Sequence, residues 1–409
     1  TMTNNKDKKV LNVPNLRFPN FFEEWEEHYL SEYLEFKNGL NPNAEKFGRG
    51  IKFISVMDIL SNNVITYDCI RASVEITAEE LKSFIVKNGD ILFQRSSETL
   101  EDVGRANVYI DDKPAVFGGF VIRGKKKSEY NPLFFKYLLA TPYARRKIIP
   151  MGAGAQHFNI GQEGLSKVKL YFPILQEQNK IASLLQLIDE RISTQNKIIE
   201  DLKKLKSAIS KHLFARKDLL ETTICLSNIA TLKNGYAFQS GKYNALGKWK
   251  IITITNVSGE RYINDEDCNC IINLPNDIQD HQVLKEGDIL ISLTGNVGRV
   301  SLCKNGDYLL NQRVGLLQLA KNVNQEFLYQ NLSSQRFENS MIACGQGAAQ
   351  MNIGKGDVES YVLPYSSNGN NILWVAKILH SYDECIINEL RRLTLLTIQK
   401  QYLLTQMFR

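Results

Sequence analysis

The chain has 409 residues, of which 43% are hydrophobic and 23% charged, and its formal net charge is +6 at pH 7. These values are typical of a soluble globular protein with two to four domains, and no apolar run is long enough to span a bilayer. The seven cysteines are scattered and odd in number, which excludes a disulfide framework. With no signal peptide at the start of the sequence, we expect a protein of the reducing cytoplasm without membrane contact.

The first half of the chain alternates short apolar runs with turns and helical stretches. Residues 1–12 are largely polar, and we expect a disordered N-terminus there. Strands are predicted at Ile51–Ile59, Ile91–Phe93 and Val168–Phe172, and helices at Thr77–Phe84 and Asn131–Lys147. A glycine-rich loop occupies residues 152–161. Together these elements predict a mixed α/β domain over residues 13–173.

Residues 174–216 carry a heptad pattern. Apolar residues recur at alternating steps of four and three, with polar Gln195 and Lys206 at two positions of the same seam. This pattern is typical of a helix that packs along its length against another helix. About 40 helical residues would reach roughly 60 Å, so we expect a spacer helix rather than part of one compact domain.

The second half of the chain repeats the first. The heptad pattern returns 194 positions later, over residues 365–409, and its polar positions return as Glu389 and Lys400. Other repeated motifs are Gly-Asp-Ile-Leu at 89–92 and 287–290, Val-Gly-Arg at 103–105 and 297–299, and the glycine-rich loops at 152–161 and 345–354. The common order indicates an internal duplication, with a second mixed α/β domain over residues 217–364. Because the side chains between these motifs differ, we expect one scaffold to present two different surfaces.

Motifs that carry catalysis are missing from the sequence. It contains no Gly-x4-Gly-Lys-Ser/Thr loop, no Pro-Pro pair of an amino-methylating motif and no Pro-Asp of a nuclease motif. The five histidines are far apart, and none belongs to a His-Glu-x-x-His motif. We therefore predict no catalytic residue, no metal ligand and no cofactor on this chain.

Polar side chains suited to nucleic acid follow the apolar strands in both halves. Arg, Gln and Asn can pair with base edges, whereas clustered Lys and Arg contact phosphates. Solvated hairpin turns and a solvated charged face are the alternatives. The candidate DNA-binding residues are Gln94, Arg95, Ser96, Arg105, Arg123, Lys125, Lys126, Lys127, Arg145, Arg146, Thr294, Asn296, Arg299, Asn311, Gln312, Arg313, Gln346, Gln350 and Lys355.

These motifs, taken together, resemble the DNA specificity subunit of type I restriction–modification systems. The resemblance rests on the lead-in Leu16-Arg17-Phe18-Pro19 with Trp25, the repeated Gly-Asp-Ile-Leu strands, the glycine-rich loops with Gln and Asn, and Gln176-Glu177-Gln178 after Pro173. The second long helix departs from it, since Asn368-Gly369-Asn370-Asn371 stands where Gln-Glu-Gln is expected. The resemblance implies an α+β fold. Two homologous mixed α/β target-recognition domains would be separated by two long antiparallel coiled-coil helices in a pseudo-two-fold arrangement.

The resemblance also implies a function. Each domain would read one half of a bipartite, asymmetric double-stranded DNA target, and the helices would set the gap between the halves. The chain itself would be non-catalytic. It would recruit two modification subunits, which methylate adenine with S-adenosylmethionine, and restriction/translocase subunits, which use ATP and Mg²⁺. The alternatives are a coiled-coil scaffold that binds only proteins and a self-sufficient methylase or nuclease, which the missing motifs disfavour.

Overall fold

The computed structural model describes residues 12–61, 63–154, 156–345 and 351–408. The chain divides into two compact units. Unit 1 consists of Thr1–Thr194 and Leu393–Arg409, and unit 2 is the continuous segment Gln195–Arg392.

Unit 1 is a mixed α/β unit. Its strands are β1 (Glu26–Tyr29), β2 (Leu34–Asn38), β3 (Phe47–Ile54), β4 (Ser73–Val74), β5 (Ile91–Gln94), β6 (Ser96–Ser97), β7 (Ala106–Val108), β8 (Val116–Phe117), β9 (Val121–Lys126), β10 (Phe158–Asn159) and β11 (Lys169–Phe172). Its helices are α1 (Leu30–Tyr33), α2 (Val56–Ser61), α3 (Ala78–Phe84), α4 (Pro132–Ala140), α5 (Pro142–Ile148), α6 (Gln162–Ser166) and the first part of α7 (Leu175–Ala215).

The main sheet of unit 1 is antiparallel and has the order β2–β9–β5–β7. Its central strand β5 is buried on both faces, as its continuous apolar sequence predicts. Ile91 and Phe93 belong to the core that also contains Trp25 and Phe134, whereas Leu92 belongs to a second core with Phe117. A three-stranded sheet β4–β3–β8 and the pairs β1–β11 and β6–β10 complete the unit.

Unit 2 repeats this topology. Its strands are β12 (Thr222–Cys225), β13 (Ala230–Asn234), β14 (Trp249–Ile252), β15 (Asn269–Ile271), β16 (Val283–Leu284), β17 (Ile289–Ser292), β18 (Val300–Leu302), β19 (Tyr308–Leu310), β20 (Val314–Leu319) and β21 (Val362–Tyr365). The remaining helices are α8 (Gln325–Leu332), α9 (Gln335–Cys344), α10 (Lys355–Glu359) and α11 (Gly369–Gln406). The sheet order β13–β20–β17–β18 matches β2–β9–β5–β7, and β15–β14–β19 matches β4–β3–β8. The predicted pair of homologous mixed α/β domains with a long helix between them is confirmed.

Two predicted elements of the first half are wrong in their bounds. The strand expected at Ile51–Ile59 ends at Ile54, and Val56–Ser61 is helical, because Asp58 accepts hydrogen bonds from the backbone N–H and the hydroxyl of Ser55 and so starts a turn. The single helix expected at Asn131–Lys147 is two helices. Thr141 caps the second one through the N–H of Ala144, and Pro142, which has no N–H to donate, occupies its first turn.

Within unit 1, the beginning of α7 packs antiparallel to the end of α11. Ile181, Leu185 and Ile188 share the core with Leu403 and Met407. The polar position of the second heptad seam is also paired, since Lys400 Nζ lies 2.5 Å from Asp189 Oδ1. Asp189 also accepts a hydrogen bond of 2.8 Å from the Tyr137 hydroxyl of α4.

Within unit 2, the rest of α7 packs antiparallel to the beginning of α11 by the same means. Lys206 Nζ lies 2.6 Å from Asp383 Oδ1, so this pair repeats that of Lys400 and Asp189 at the position 194 residues away. Gln195 Nε2 donates to Glu389 Oε2 at 2.5 Å and to the Glu389 carbonyl at 3.1 Å. The polar residues of the heptad seam therefore form hydrogen bonds between the helices instead of interrupting the packing.

Candidate nucleic-acid interface

The end of β5 brings together polar groups from three loops of unit 1. Arg95 directly follows this strand, and its Nη1 donates to the Gly119 carbonyl at 3.2 Å. The next residue, Ser96, belongs to β6, which pairs with β10, so the Ser96 hydroxyl forms a hydrogen bond with the Asn159 side chain. The structure thus joins two loops that are about 60 residues apart in the sequence, Arg95 to Ser97 and the glycine-rich loop. Their side chains form one polar surface at the end of the main sheet.

Arg105 and Arg145 lie beside this surface and differ in exposure. The Arg105 side chain is 56% exposed and pairs with Asp102 at 2.6 Å. Arg145 is half-buried, and its Nη2 donates to the carbonyls of Glu101 and Val103 at 2.8 and 2.6 Å. Burial lowers the pKa of Arg145, and the neighbouring charge of Arg105 lowers it further. Arg145 therefore holds the loop that carries Arg105, while Arg105 remains accessible.

Unit 2 has the same construction at the end of β17. The Thr294 hydroxyl donates to Asn352 Oδ1 at 3.2 Å, which repeats the pairing of Ser96 with Asn159. Asn311 is buried, and its Oδ1 accepts a hydrogen bond from the N–H of Arg313 at 3.2 Å. The side chains of Gln312 and Arg313 are exposed beside it. The predicted residues of this segment therefore divide into one that shapes the turn and two that are accessible.

Arg299 and Asn296 lie on the loop that links β17 to β18. Asn296 is exposed between two glycines with positive φ, Gly295 and Gly298. Arg299 is partly exposed, donates to the Ser258 carbonyl at 3.4 Å and lies 3.6 Å from a carboxylate oxygen of Glu338. This loop presents an amide and a cation next to Thr294.

Two predicted contacts are buried and have structural partners. Arg123 is 6% exposed because its guanidinium packs over the Phe117 ring, 5.4 Å from the ring centre, and its Nη1 donates to the Ile85 carbonyl. Burial lowers the pKa of Arg123, although the charge of Asp90 opposes that effect. Gln94 is 5% exposed and donates to the Ser96 carbonyl at 2.9 Å. Both side chains support the sheet end and present little surface to a ligand.

The predicted lysine cluster lies at the other end of β9 from this surface. The strand runs from Val121 to Lys126, which is about 17 Å at the usual rise per residue. Lys125 lies 3.5 Å from Glu35, Lys126 lies 3.4 Å from Glu129, and Lys127 donates to a backbone carbonyl at 3.3 Å. These lysines and the residues around Arg95 belong to separate surfaces of unit 1.

The remaining predicted residues are exposed or lie outside the described part of the chain. Arg146 is exposed on α5. Lys355 is exposed at the start of α10 and lies 3.6 Å from Glu359. Gln346 and Gln350 are outside the described residues.

Sequence reasoning missed residues that the fold places at these strand ends. Asn159 and Asn352 lie in the glycine-rich loops. They occupy equivalent positions in the two repeats, and this equivalence could have identified them from the sequence. Phe120 is 68% exposed in the turn that contacts Arg95, but nothing in the sequence separates it from the core phenylalanines nearby.

The chain belongs to the family of the type I restriction modification DNA specificity domain. The model of this family matches residues 22–204 and again residues 221–397. The two matches agree with the two units that share one sheet order. The resemblance inferred from the repeated motifs is therefore confirmed.

Curated relatives and solved structures agree with this membership. The chain is 25% identical over 361 residues to the type I restriction enzyme MjaVIII specificity subunit of Methanocaldococcus jannaschii, covering 82% of this chain and 80% of the relative. It is also 25% identical over 371 residues to the putative type I restriction enzyme MjaX specificity subunit of the same organism, covering 84% and 83%.

The S subunit of a type I restriction–modification system from M. genitalium has a similar fold, with a TM-score of 0.58 at 17% identity over 97% of this chain and 99% of that one. A chain from a structure on the assembly and conformational transition of the type I R-M system has a TM-score of 0.59 at 14% identity over 94% and 97%.

Within the described ranges, no helix combines the length and the apolar character that crossing a membrane requires. The same ranges contain no group of three or more His, Cys, Asp and Glu side chains placed to hold a metal ion.

Proposed function

We propose that this chain is the DNA-recognition subunit of a type I restriction–modification complex, and that each unit binds one half of a bipartite, asymmetric double-stranded target. One observation carries the proposal. Both units of a DNA specificity fold end their central strand in the same arrangement, a hydroxyl hydrogen-bonded to an asparagine with an accessible arginine nearby. Arginine pairs with guanine edges and asparagine with adenine edges in the major groove. The different side chains at the two ends suit two unlike half-targets.

In this proposal the long helices set the gap between the half-targets and bind the partner subunits. Their support is a set of apolar side chains that each unit exposes on these helices. Unit 1 exposes Leu187 of α7 with Leu395, Ile398 and Tyr402 of α11, and unit 2 exposes Ile198 and Leu205 of α7, each at least 41% exposed. Two modification subunits would bind there, and restriction/translocase subunits would join the assembly. The chain itself is non-catalytic in this proposal, and S-adenosylmethionine, ATP and Mg²⁺ bind to the partners.

The experiment that tests the proposal uses Arg313, which is exposed beside Gln312 in unit 2. The full chain is assembled with its modification subunits, and the methylated adenines are mapped in DNA. Changing Arg313 to Ala should relax one base position of one half-target, because a bidentate arginine–guanine pair contributes about 1–3 kcal/mol of discrimination. The other half-target and the gap should stay as they are.

The matched control is Arg336→Ala, which removes another exposed arginine of unit 2, on α9. It should leave the base preference at every position unchanged. An Arg313→Ala complex with unaltered preference would show that Arg313 does not read a base. A wild-type assembly that binds all duplexes equally would contradict the proposal and favour a scaffold that binds only proteins.

A further inference from the structure

A tight turn precedes β9 in unit 1 and has a counterpart in unit 2. The Val121 N–H donates to the Gly118 carbonyl at 2.8 Å, so Phe120 is the third residue of a four-residue turn. In unit 2 the Val314 N–H donates to the Asn311 carbonyl at 2.9 Å, and Arg313 takes the third position.

The strand register confirms that these two residues are equivalent. Just beyond the paired strands, the Arg95 N–H donates to the Phe120 carbonyl at 2.8 Å, and the Leu293 N–H donates to the Arg313 carbonyl at 3.0 Å. Unit 1 therefore has an arginine on the β5 side and an exposed phenylalanine in the turn. Unit 2 has a buried leucine on the β17 side and an exposed arginine in the turn.

The turn of unit 1 packs closely against its neighbours. A Cβ on Gly118 would lie 2.6 Å from the Phe53 ring, and a Cβ on Gly119 would lie 1.8 Å from Asn41 Oδ1. A side chain at either position would therefore displace the Phe53 ring or the Asn41 amide. Arg95 also binds the Gly119 carbonyl, at 3.2 Å. Phe120 is 68% exposed, and this packing defines its position before any ligand binds.

We propose that Phe120 is a specificity-determining residue that packs its ring against the 5-methyl group of a thymine in the half-target bound by unit 1. This inference rests on the proposed function above. In the major groove, thymine is distinguished by its C5-methyl group, which apolar side chains contact, while arginine pairs with guanine. The third position of the turn therefore holds an apolar side chain that would contact a base in unit 1, and a cationic side chain that would contact a base in unit 2. Arg95 would read the neighbouring base pair in unit 1.

The experiment uses the full chain with its modification subunits and duplexes in which each thymine is replaced in turn by deoxyuridine, which lacks the methyl group. The half-target of unit 1 is the one whose base preference Arg313→Ala leaves unchanged. The wild-type complex should bind about fourfold more weakly when one particular thymine of this half is replaced, as expected for one buried methyl group. Phe120→Ala should bind the unmodified target about tenfold more weakly and should no longer distinguish thymine from deoxyuridine at that position.

Two variants serve as controls. Phe120→Leu keeps an apolar side chain and should retain the preference for thymine. Phe22→Ala removes a phenylalanine of unit 1 that is 85% exposed and should behave as the wild type.

A half-target without thymine, or equal discrimination by wild type and Phe120→Ala, would overturn the inference and leave the proposed function intact. Loss of affinity by Phe120→Ala without loss of discrimination would also overturn it, because a ring inserted between bases behaves in that way. A wild-type complex without any sequence preference would contradict the proposed function as well.

Discussion

Two buried aspartates, Asp189 and Asp383, lie where the long helices contact the units that they support. Asp383 is 5% exposed and accepts hydrogen bonds from Lys206 at 2.6 Å, Arg261 at 2.9 Å and Gln330 at 2.5 Å. Arg261 in turn makes a bidentate pair with Glu326. Burial would lower the pKa of Arg261, but its hydrogen bonds to Glu326 and the charge of Asp383 raise it. Asp383 therefore joins α11 to α7 and to the domain core of unit 2.

Replacing Asp383 with Ala should lower the free energy of unfolding by about 3–5 kcal/mol, because it leaves Lys206 and part of Arg261 buried without a counter-charge. Urea unfolding of the full chain, followed by circular dichroism, measures this change. Asp201→Ala is the matched control, since Asp201 is an exposed aspartate of α7, and it should change stability by less than about 0.5 kcal/mol. Equal effects of the two substitutions would mean that the contacts of Asp383 with Lys206 and Arg261 add nothing to the stability of the protein.

Lys136 makes the stability of unit 1 depend on pH, and the lowered pKa of Lys136 determines the sign of this dependence. Burial lowers the pKa of Lys136 from 10.5 to about 8, although the nearby charge of Asp189 raises it, and Lys400 lowers it again. Between these two values the unfolded chain keeps the proton that the folded protein has released. The contribution of Lys136 to the free energy of unfolding therefore rises with pH across this window and is constant below about pH 8.

The test compares wild type with Lys136→Met by urea unfolding at several pH values. The stability of the wild type relative to the variant should increase by an amount on the order of 1–3 kcal/mol from about pH 8 to about pH 10.5. The difference between the two proteins cancels the titration of all groups that do not interact with Lys136. A difference that does not change with pH would contradict the lowered pKa of Lys136.

At the residue scale, the sequence predicted which polar residues lie near the strand ends better than it predicted their exposure. Arg105 and Arg313 are exposed and Arg95 is partly exposed, because all three lie just outside strands instead of within them. Arg123 looked like part of a basic cluster, but the Phe117 ring and the Ile85 carbonyl, which pack against its guanidinium, bury it. Burial of this kind depends on partners that are distant in sequence, and only the assembled sheet reveals them. The exposure of Phe120 could not be predicted for the same reason.

At the scale of elements, periodicity predicted the long helices well. A heptad seam specifies its own partner, since each helix needs another one along its length. The strand prediction at Ile51–Ile59 failed because a side-chain hydrogen bond from Ser55 to Asp58 competes with the apolar pattern. Local polar contacts of this sort decide where short elements end.

The pair of Gln195 and Glu389 allows a test of whether polar residues in the heptad seam fix the register of the two long helices. A polar pair at such a position specifies register at a cost in stability. Replacing both residues with Leu should leave the free energy of unfolding the same or raise it by about 1 kcal/mol, whereas Gln195→Leu alone should lower it by about 1 kcal/mol. The double variant should methylate targets with more than one gap length, as mapped in DNA.

The control is the exposed pair of Gln186 and Glu190 on α7, which are joined by a hydrogen bond of 3.0 Å. Changing both to Ala should preserve a single gap length. If the double Leu variant also methylates targets with a single gap length and still binds its partner subunits, Gln195 and Glu389 do not fix the register of the helices.

At the scale of the whole molecule, the repeated order of motifs made the duplication predictable from one sequence. The two copies keep the sheet order and short motifs such as Gly-Asp-Ile-Leu, and most of their other side chains differ. The motifs therefore predicted two units of one fold. They do not predict any base preference, because side-chain geometry, and not residue type alone, decides a base contact.

The unit boundaries suggest how to lengthen the helices without disturbing either core. Seven residues of heptad sequence inserted after Thr194 and after Arg392 leave Asp189 with Lys400 in unit 1 and Gln195 with Glu389 in unit 2. Two extra turns add about 10 Å, which corresponds to about three base pairs. Methylation mapping should show the same two half-targets with a longer gap.

The matched control places the same insertion in α7 alone. One lengthened helix can no longer satisfy both sets of helix contacts, so this variant should lose stability or partner binding. An unchanged gap in the doubly extended protein, with both half-targets retained, would show that the helices do not set the distance.

The division of the two units along the chain also determines the order of their synthesis. Unit 2 is continuous, but unit 1 needs Leu403, Met407 and Phe408, whose ring lies 5.4 Å from that of Phe134. The ribosome must therefore translate all of unit 2 before it can supply the last part of unit 1, a delay on the order of ten to forty seconds. The first unit to emerge is the last to complete its core, and a ribosome that stalls within α11 after Arg392 releases a chain with only one finished unit.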